Sequence, residues 1–473
     1  MVFSSVIFLF YFLPITLFLY FAVRRIKYKN IVLLMASMFF YAFGEPVYIF
    51  IMLASIAINY LSGVLIDKAK KTANRRIILV VSVILNIGIM VYFKYIDFFI
   101  DILNKSVGMI KKDFYISAIG VALPIGLSFF TFQGLSYVID VYRRDIPPQK
   151  SFLKLALYIS MFPQLVAGPI VRYKNIMDEI DSRKTTESDL RLGISRFIIG
   201  ISKKVMIADI LAGVADKAFS LGGQQLEPMT AWLGAICYML QIYFDFSGYS
   251  DMAIGIGHIL GFTFPENFDQ PYTAGSVSSF WRKWHISLSG WFRDYLYIPL
   301  GGNRKGNVYI NLLIVFICTG LWHGANYTFV FWGLWHGTFI IVERLLRNRG
   351  LKIKLPVVGN LYTLFVVLIG WVFFRAPGLG SGIRYIRSMF GVQRLDEFLN
   401  YNIWYYIDNQ IIFTIIAAII ICTGIPAKMM KRIEMSNNKA LISTGYVCLL
   451  LLFTISSCMI INGNFSPFIY FRF

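Results

Sequence analysis

Mostly apolar runs, each near the ~20 residues that a helix needs to cross a bilayer core, recur from one end of the chain to the other. Short loops, basic or rich in Gly and Pro, separate them. The pattern predicts membrane segments near residues 3–23, 31–43, 47–66, 77–99, 116–141, 152–171, 193–220, 230–262, 308–322, 326–346, 356–374, 408–426 and 441–462. Those near 31–43 and 308–322 fall short of a full span and others are broken by Gly and Pro. One or two are therefore read as re-entrant or interfacial, with protein or water around their backbone. The expected architecture is an all-α polytopic membrane protein of about 11 transmembrane helices with short re-entrant or interfacial helices. No stretch is long enough for a soluble domain, so residues 1–473 form one integral-membrane domain carrying an aromatic tail at 464–473. The first segment lacks a basic leader and a small-residue cleavage site, and reads as a retained helix. No internal repeat and no inverted pair of broken helices stands out.

Composition agrees: 57% of residues are hydrophobic and 15% charged, and the mean hydropathy of +0.65 is outside the soluble range. The formal charge of +20 does not indicate nucleic-acid binding, because the basic residues cluster beside membrane segments instead of along one soluble face. They indicate topology. With an external N-terminus, the clusters at 24–29, 67–76 and 142–150 fall inside, and Lys111 and Lys112 are the exceptions to the positive-inside rule. Counting back from the basic stretches at 343–354 and 428–439 places the tail outside. Cys237, Cys318, Cys422, Cys448 and Cys458 sit singly in apolar runs and are read as packing residues. The least membrane-like interior stretch, 264–307, combines Trp281, Trp284 and Trp291 with Arg282, Lys283, Arg293 and Asp294, as an interfacial segment does.

Strongly polar groups inside spans are costly and default to functional candidates. The four histidines are His258, His285, His323 and His336. His258, among small residues in "GIGHILGF", reads as a packing histidine. His285 in "WRKWHISLSGW" and His323 in "CTGLWHGAN" each follow a Trp and precede small residues. That suits a pocket with one apolar wall, and a structural histidine at an interface would show the same pattern. His336 repeats the motif thirteen residues after His323. At ~100° per residue the two face roughly opposite sides of an unbroken helix, so they share a site only if "GAN" interrupts it. There is no HExxH and no carboxylate pair at ligand spacing, so no metal is expected. "DFSGYSD" (245–251) lacks the spacing of a GxSxG nucleophile elbow. What remains is a histidine acting as general base on a hydroxyl supplied by another group.

Several stretches then resemble the membrane-bound O-acyltransferase (MBOAT) family, in the branch that O-acetylates bacterial exopolysaccharides, of the alginate O-acetylation membrane-subunit type. They are "LPIGLSFFTFQ" (123–133), "FPQLVAGPIVRY" (162–173), "YFDFSGYSDMAIG" (243–255), "ENFDQPY" (266–272), "FWRKWHISLSGWFRDYLYIPLGGNR" (280–304) and "TGLWHGANYTFVFWGLWHG" (319–337). The resemblance implies a ring of tilted helices around a tunnel across a bacterial cell membrane, with a thioester donor, acetyl-CoA, entering from the cytoplasm and the acceptor from outside. It places the family's active-site histidine on His323 and its second motif residue on His285, as a partner that orients or stabilises. Trp322, Trp284, Asp245 and Asn326 become candidate tunnel-lining residues. His336 matches the branch but receives no role.

The tail "FIYFRF" also fits. In the related teichoic-acid D-alanylation system a small membrane partner ends in F-x-Y-F, whose Tyr carries the acyl group, and many polysaccharide-acetylating members end similarly. By that resemblance Tyr470, flanked by Phe468 and Phe471, receives the acetyl group, and a separate extracellular SGNH-type acetyltransferase moves it to a polysaccharide. A phenol of pKa about 10 needs base assistance at neutral pH. The bland reading of the tail is an aromatic belt at the bilayer interface. The competing functions are transfer of D-alanyl or another acyl unit to teichoic acid, lipid or protein and, from another class, a transporter or polymer-export channel. Asp245 and Asp251 would be the latter's intramembrane carboxylates.

Overall fold

The structure, a computed structural model, describes residues 1–111, 114–221, 225–351, 355–392, 402–434, 438–463 and 468–469. It is all-helical, with no strand among the described residues. Six helices are long and apolar enough to cross a membrane: Ile26–Gly44, Ile49–Lys68, Thr72–Gly108, Tyr327–Asn348, Pro356–Arg375 and Lys439–Asn462. Phe8–Ala22, Val308–His323 and Asn409–Cys422 are shorter apolar helices. The chain is a multi-pass membrane protein.

Three of the expected segments differ, and that near 152–171 is helical only over Phe152–Ser160 and Phe162–Leu165. The apolar stretch near 31–43 is the C-terminal part of a 19-residue helix, Ile26–Gly44, because "IKYKN" extends the helix ahead of the apolar run. The stretch near 116–141 is helical only from Leu127 to Arg143; Pro124 just upstream lacks an N–H and disfavours a helical residue before it.

The chain divides into two compact units, Met1–Gly193 with Ile256–Pro265, and Ile194–Gly255 with Glu266–Phe473. In the first, the helices Ile49–Lys68, Thr72–Gly108 and Leu127–Arg143 pack on one another. Asn59 and Asn86, both fully buried, exchange amide hydrogen bonds at 3.0 and 3.2 Å between two of these helices. Interhelical polar pairs of this kind hold helices together where lipid tails offer no hydrophobic drive. The return segment Ile256–Pro265 is clasped into this unit: Tyr20 donates to the Leu260 carbonyl at 2.6 Å, and Arg183 donates to both at 2.9 and 3.1 Å.

In the second unit Val308–His323 and Tyr327–Asn348 form a tight helical hairpin, with Pro356–Arg375 against its second arm. The 264–307 stretch is a string of short turns and helices, Pro271–Thr273, Val277–Lys283, Ile286–Phe292 and Arg293–Tyr297. Its Trp281, Trp284 and Trp291 are buried in protein, not spread over an interface. Of the cysteines, Cys237 and Cys422 are buried as packing residues, whereas Cys448 and Cys458 lie exposed on the apolar Lys439–Asn462 helix.

Candidate active site

His323 is the last residue of its helix, and the chain is extended at Gly324 before Asn326 caps the next helix by accepting from Thr328 N–H at 3.1 Å. The "GAN" stretch therefore does break the helix. Folding the second arm back brings Trp332 to 5.1 Å from the His323 ring and to 5.1 Å from the His336 ring. Trp322 lies 5.0 Å from His323 and 5.9 Å from His285. Three of the four histidines thus share one buried aromatic cluster, strung as His285, Trp322, His323, Trp332 and His336, with Phe374 closing on His323 at 5.1 Å. His258 lies outside it, on the return segment of the first unit.

His285 is fully buried and held in the left-handed region (φ +45°, ψ +54°) at the start of the Ile286–Phe292 helix. Non-glycine residues seldom adopt that conformation, and it persists only where surrounding contacts impose it. Asn267 imposes it here. Its backbone carbonyl accepts Ile286 N–H at 2.9 Å. Its side-chain oxygen accepts Ser287 N–H at 3.2 Å and Ser287 Oγ–H at 2.8 Å, and lies 3.1 Å from His285 Nδ1. Because a backbone N–H can only donate, this Asn267 atom is the oxygen and not the amide nitrogen. Nδ1 of His285 therefore carries the hydrogen, which leaves Nε2 the lone-pair nitrogen of the neutral ring. Burial pushes the imidazole down to about 3, so it is neutral at physiological pH.

Asn267→Leu removes that acceptor from two residues at once and is expected to destabilise the protein by ~1–3 kcal/mol, read as a lower thermal midpoint in detergent, while Asn267→Asp keeps an oxygen there and loses less. The sign for pH follows from burial. With the folded pKa below the unfolded one, His285 contributes stability above the unfolded value of about 6.5 that is lost as pH falls toward the folded value.

His336 is fully buried against Trp281 at 5.2 Å and Trp332 at 5.1 Å, and among the described residues neither of its ring nitrogens has a hydrogen-bond partner. The indole N–H of Trp332 likewise has none among the described residues, which leaves a buried donor beside His323. Trp284 is packed between Phe280 at 5.5 Å and Trp371 at 4.9 Å. Asn326, besides capping, donates to the Pro377 carbonyl at 3.0 Å. Asp245 is buried and paired with Lys204 at 2.6 Å. Asp251 accepts from Arg196 at 3.0 Å and Lys203 at 2.6 Å. The carboxylates singled out in the sequence are thus ion-paired. Sequence reasoning passed over Asn267, although it stands in the quoted "ENFDQPY", and Lys204, an ionisable residue within an apolar run. Tyr470 and Phe471 lie outside the described residues, whereas Phe468 and Ile469 are described and buried.

A multi-pass helical protein that buries three histidines within one shell of aromatic rings has side chains able to accept and deliver protons away from bulk water. The chain belongs to the membrane-bound O-acyltransferase family, MBOAT, whose sequence profile matches residues 142–382. It is 44% identical to the "Probable alginate O-acetylase AlgI" of Pseudomonas putida, across 82% of this chain and 80% of that one. Its likeness to the protein of the same description from Azotobacter vinelandii is 39% across the whole of both chains. It is also 35% identical to the peptidoglycan O-acetyltransferase of Helicobacter pylori, across 100% of this chain and 98% of that one. The protein is an O-acyltransferase.

Proposed function

We propose that this protein takes an acetyl group from a cytoplasmic thioester donor, acetyl-CoA, to the external face of the bacterial cell membrane, for O-acetylation of an envelope or secreted polysaccharide. The observation that carries the site assignment is the shared aromatic cluster, in which Trp322 lies 5.0 Å from the His323 ring and 5.9 Å from the His285 ring. Relatives named for alginate and peptidoglycan O-acetylation, alike across most or all of this chain, support acetyl transfer to a polysaccharide. The teichoic acid D-alanyltransferase of Bacillus subtilis matches 42% of this chain at 30% identity. D-alanyl transfer is therefore the weaker reading.

In this reading about 11 spans surround a tunnel, and the tail lies on the external side. The neutral imidazole of His323 takes the proton of the Tyr470 phenol as the phenolic oxygen bonds to the thioester carbonyl carbon. The carbon–sulfur bond then breaks, the leaving thiolate takes that proton from His323 to depart as a thiol, and Tyr470 holds the acetyl group as an aryl ester. The Trp332 indole N–H is the nearby donor that meets the developing oxyanion, while His285, fixed by Asn267, presents its acceptor Nε2 and orients a hydroxyl donor. An aryl ester is a better acyl donor than a sugar ester because phenolate leaves more readily, so an extracellular SGNH-type acetyltransferase can pass the group to the polymer.

The test is mass spectrometry of the enzyme incubated with acetyl-CoA without that partner. An increment of one acetyl group on Tyr470 is expected, absent in Tyr470→Phe, and that variant should also lose polysaccharide acetylation. No covalent acetyl on Tyr470 in the wild type would overturn the carrier step.

A further inference from the structure

The Glu187–Ser202 helix runs into a π-helical turn, Lys203–Ala208, and crosses the long helix Pro228–Leu260 closely. Gly200 and Gly248 permit that approach: a Cβ on either would come within 2.6–2.7 Å of the other's carbonyl oxygen. The crossing sets Lys204 against Asp245, each only 2% exposed at the side chain, with Nζ 2.6 Å from Asp245 Oδ1 and 2.6 Å from Asp209 Oδ1. Ion pairs buried to this extent are poor sources of stability, because desolvation offsets the attraction unless the remaining oxygens are also satisfied. Here the remaining oxygen meets the tail. Asp245 Oδ2 accepts Ile469 N–H at 2.7 Å. The Phe468 ring packs edge-on against Tyr249 at 5.0 Å, with Lys204 Nζ 4.8 Å from its centroid. The preceding helix, Lys439–Asn462, is tied to the same turn by Ser456 and Ser202, whose hydroxyls are 3.1 Å apart.

We propose that Lys204, Asp245 and Tyr249 form a docking clamp for an aromatic peptide segment, and that its occupant is this chain's own segment beginning at Phe468. The ammonium and ring edge select an aromatic at 468, and the free carboxylate oxygen takes the next backbone N–H. These two contacts hold the chain immediately ahead of Tyr470. The consequence for catalysis rests on Tyr470 as acyl carrier: the clamp positions the carrier, while the histidines act on it.

Hydrogen exchange of the full-length protein in detergent, resolved to the Ile469 amide, tests the clamp. Loss of one hydrogen bond to a charged group predicts roughly 10- to 100-fold faster exchange there in Asp245→Leu. Phe468→Ala, which leaves the ion pair and the helices untouched, should give a similar increase even if Asp245→Leu folds poorly. An unprotected Ile469 amide in the wild type, or unchanged exchange in either folded variant, would overturn the clamp. Tyr470→Phe separates the two ideas. Its Ile469 protection should persist although acyl transfer is lost, and protection in a wild type that never acetylates Tyr470 would defeat the carrier reading and leave the clamp standing.

Discussion

His323→Ala is expected to abolish acyl transfer from radiolabelled acetyl-CoA in membranes or purified protein, while leaving the protein expressed and folded, with a lowered thermal midpoint. A positioned general base contributes roughly 10²–10⁴-fold, and in the proposed mechanism neither His285, held through Nδ1 by Asn267, nor His336, packed against Trp281 and Trp332, takes the Tyr470 proton. The protein should survive because His323 is the C-terminal residue of its helix, so truncation leaves the helix's hydrogen-bond ladder intact. What it loses is ring packing on Trp322, Trp332 and Phe374, each worth ~0.5–1.5 kcal/mol beyond its burial. Substantial residual transfer by a well-folded His323→Ala enzyme would remove His323 from the mechanism and with it the transfer to Tyr470 as written. His285→Ala should lower transfer and stability together, because Asn267 then loses one of the donors that its oxygen serves.

Most of this was visible in the sequence wherever the information was local. Apolar runs predicted the helices because backbone satisfaction in lipid leaves few alternatives, and the "WHG" repeat pointed to His323 and His336. Whether those two residues meet depended on three residues, "GAN". Periodicity cannot foresee the break, since it counts faces on a helix that is assumed to continue. Gly324 ends the helix extended and Asn326 restarts it as a cap, so an apparent separation around one helix becomes proximity across two. Asn326, read as a lining residue, has this capping role for the same reason. Asn267 and Lys204 escaped notice because their partners are remote in the chain: 18 residues to His285 and, for the Asp245 that Lys204 holds, 224 residues to Ile469. A buried lysine in an apolar run was the available signal, and it predicts a paired charge without naming the partner.

Gly320→Val is expected to be the most damaging substitution away from the histidines, because it strikes the contact that brings them together. A Cβ on Gly320 would run into the carbonyl of Phe329, and one on Gly333 into the carbonyl of Phe316; each would also lie 3.5 Å from the other glycine's Cα. Small residues at such crossings let backbones touch and are the usual interface of packed membrane helices. Neither obstacle is a side chain that can swing aside, so relief requires the helices to separate along their length. The cost should exceed the ~1–3 kcal/mol of ordinary core overpacking. Opening the hairpin withdraws Trp332 from His323, so activity should fall through loss of the folded site, whereas His323→Ala removes the base from a site that still folds. Gly213→Ala is the matched control: it lies within the Asp209–Ser220 helix with nothing within 4 Å of a new Cβ. There alanine should be neutral or stabilising by ~0.5–1 kcal/mol. Thermal unfolding in detergent should show a large drop in midpoint or loss of folded protein for Gly320→Val and no drop for Gly213→Ala. A Gly320→Val protein with wild-type midpoint and activity would mean that the hairpin does not pack backbone to backbone, and the aromatic cluster would then need another cause.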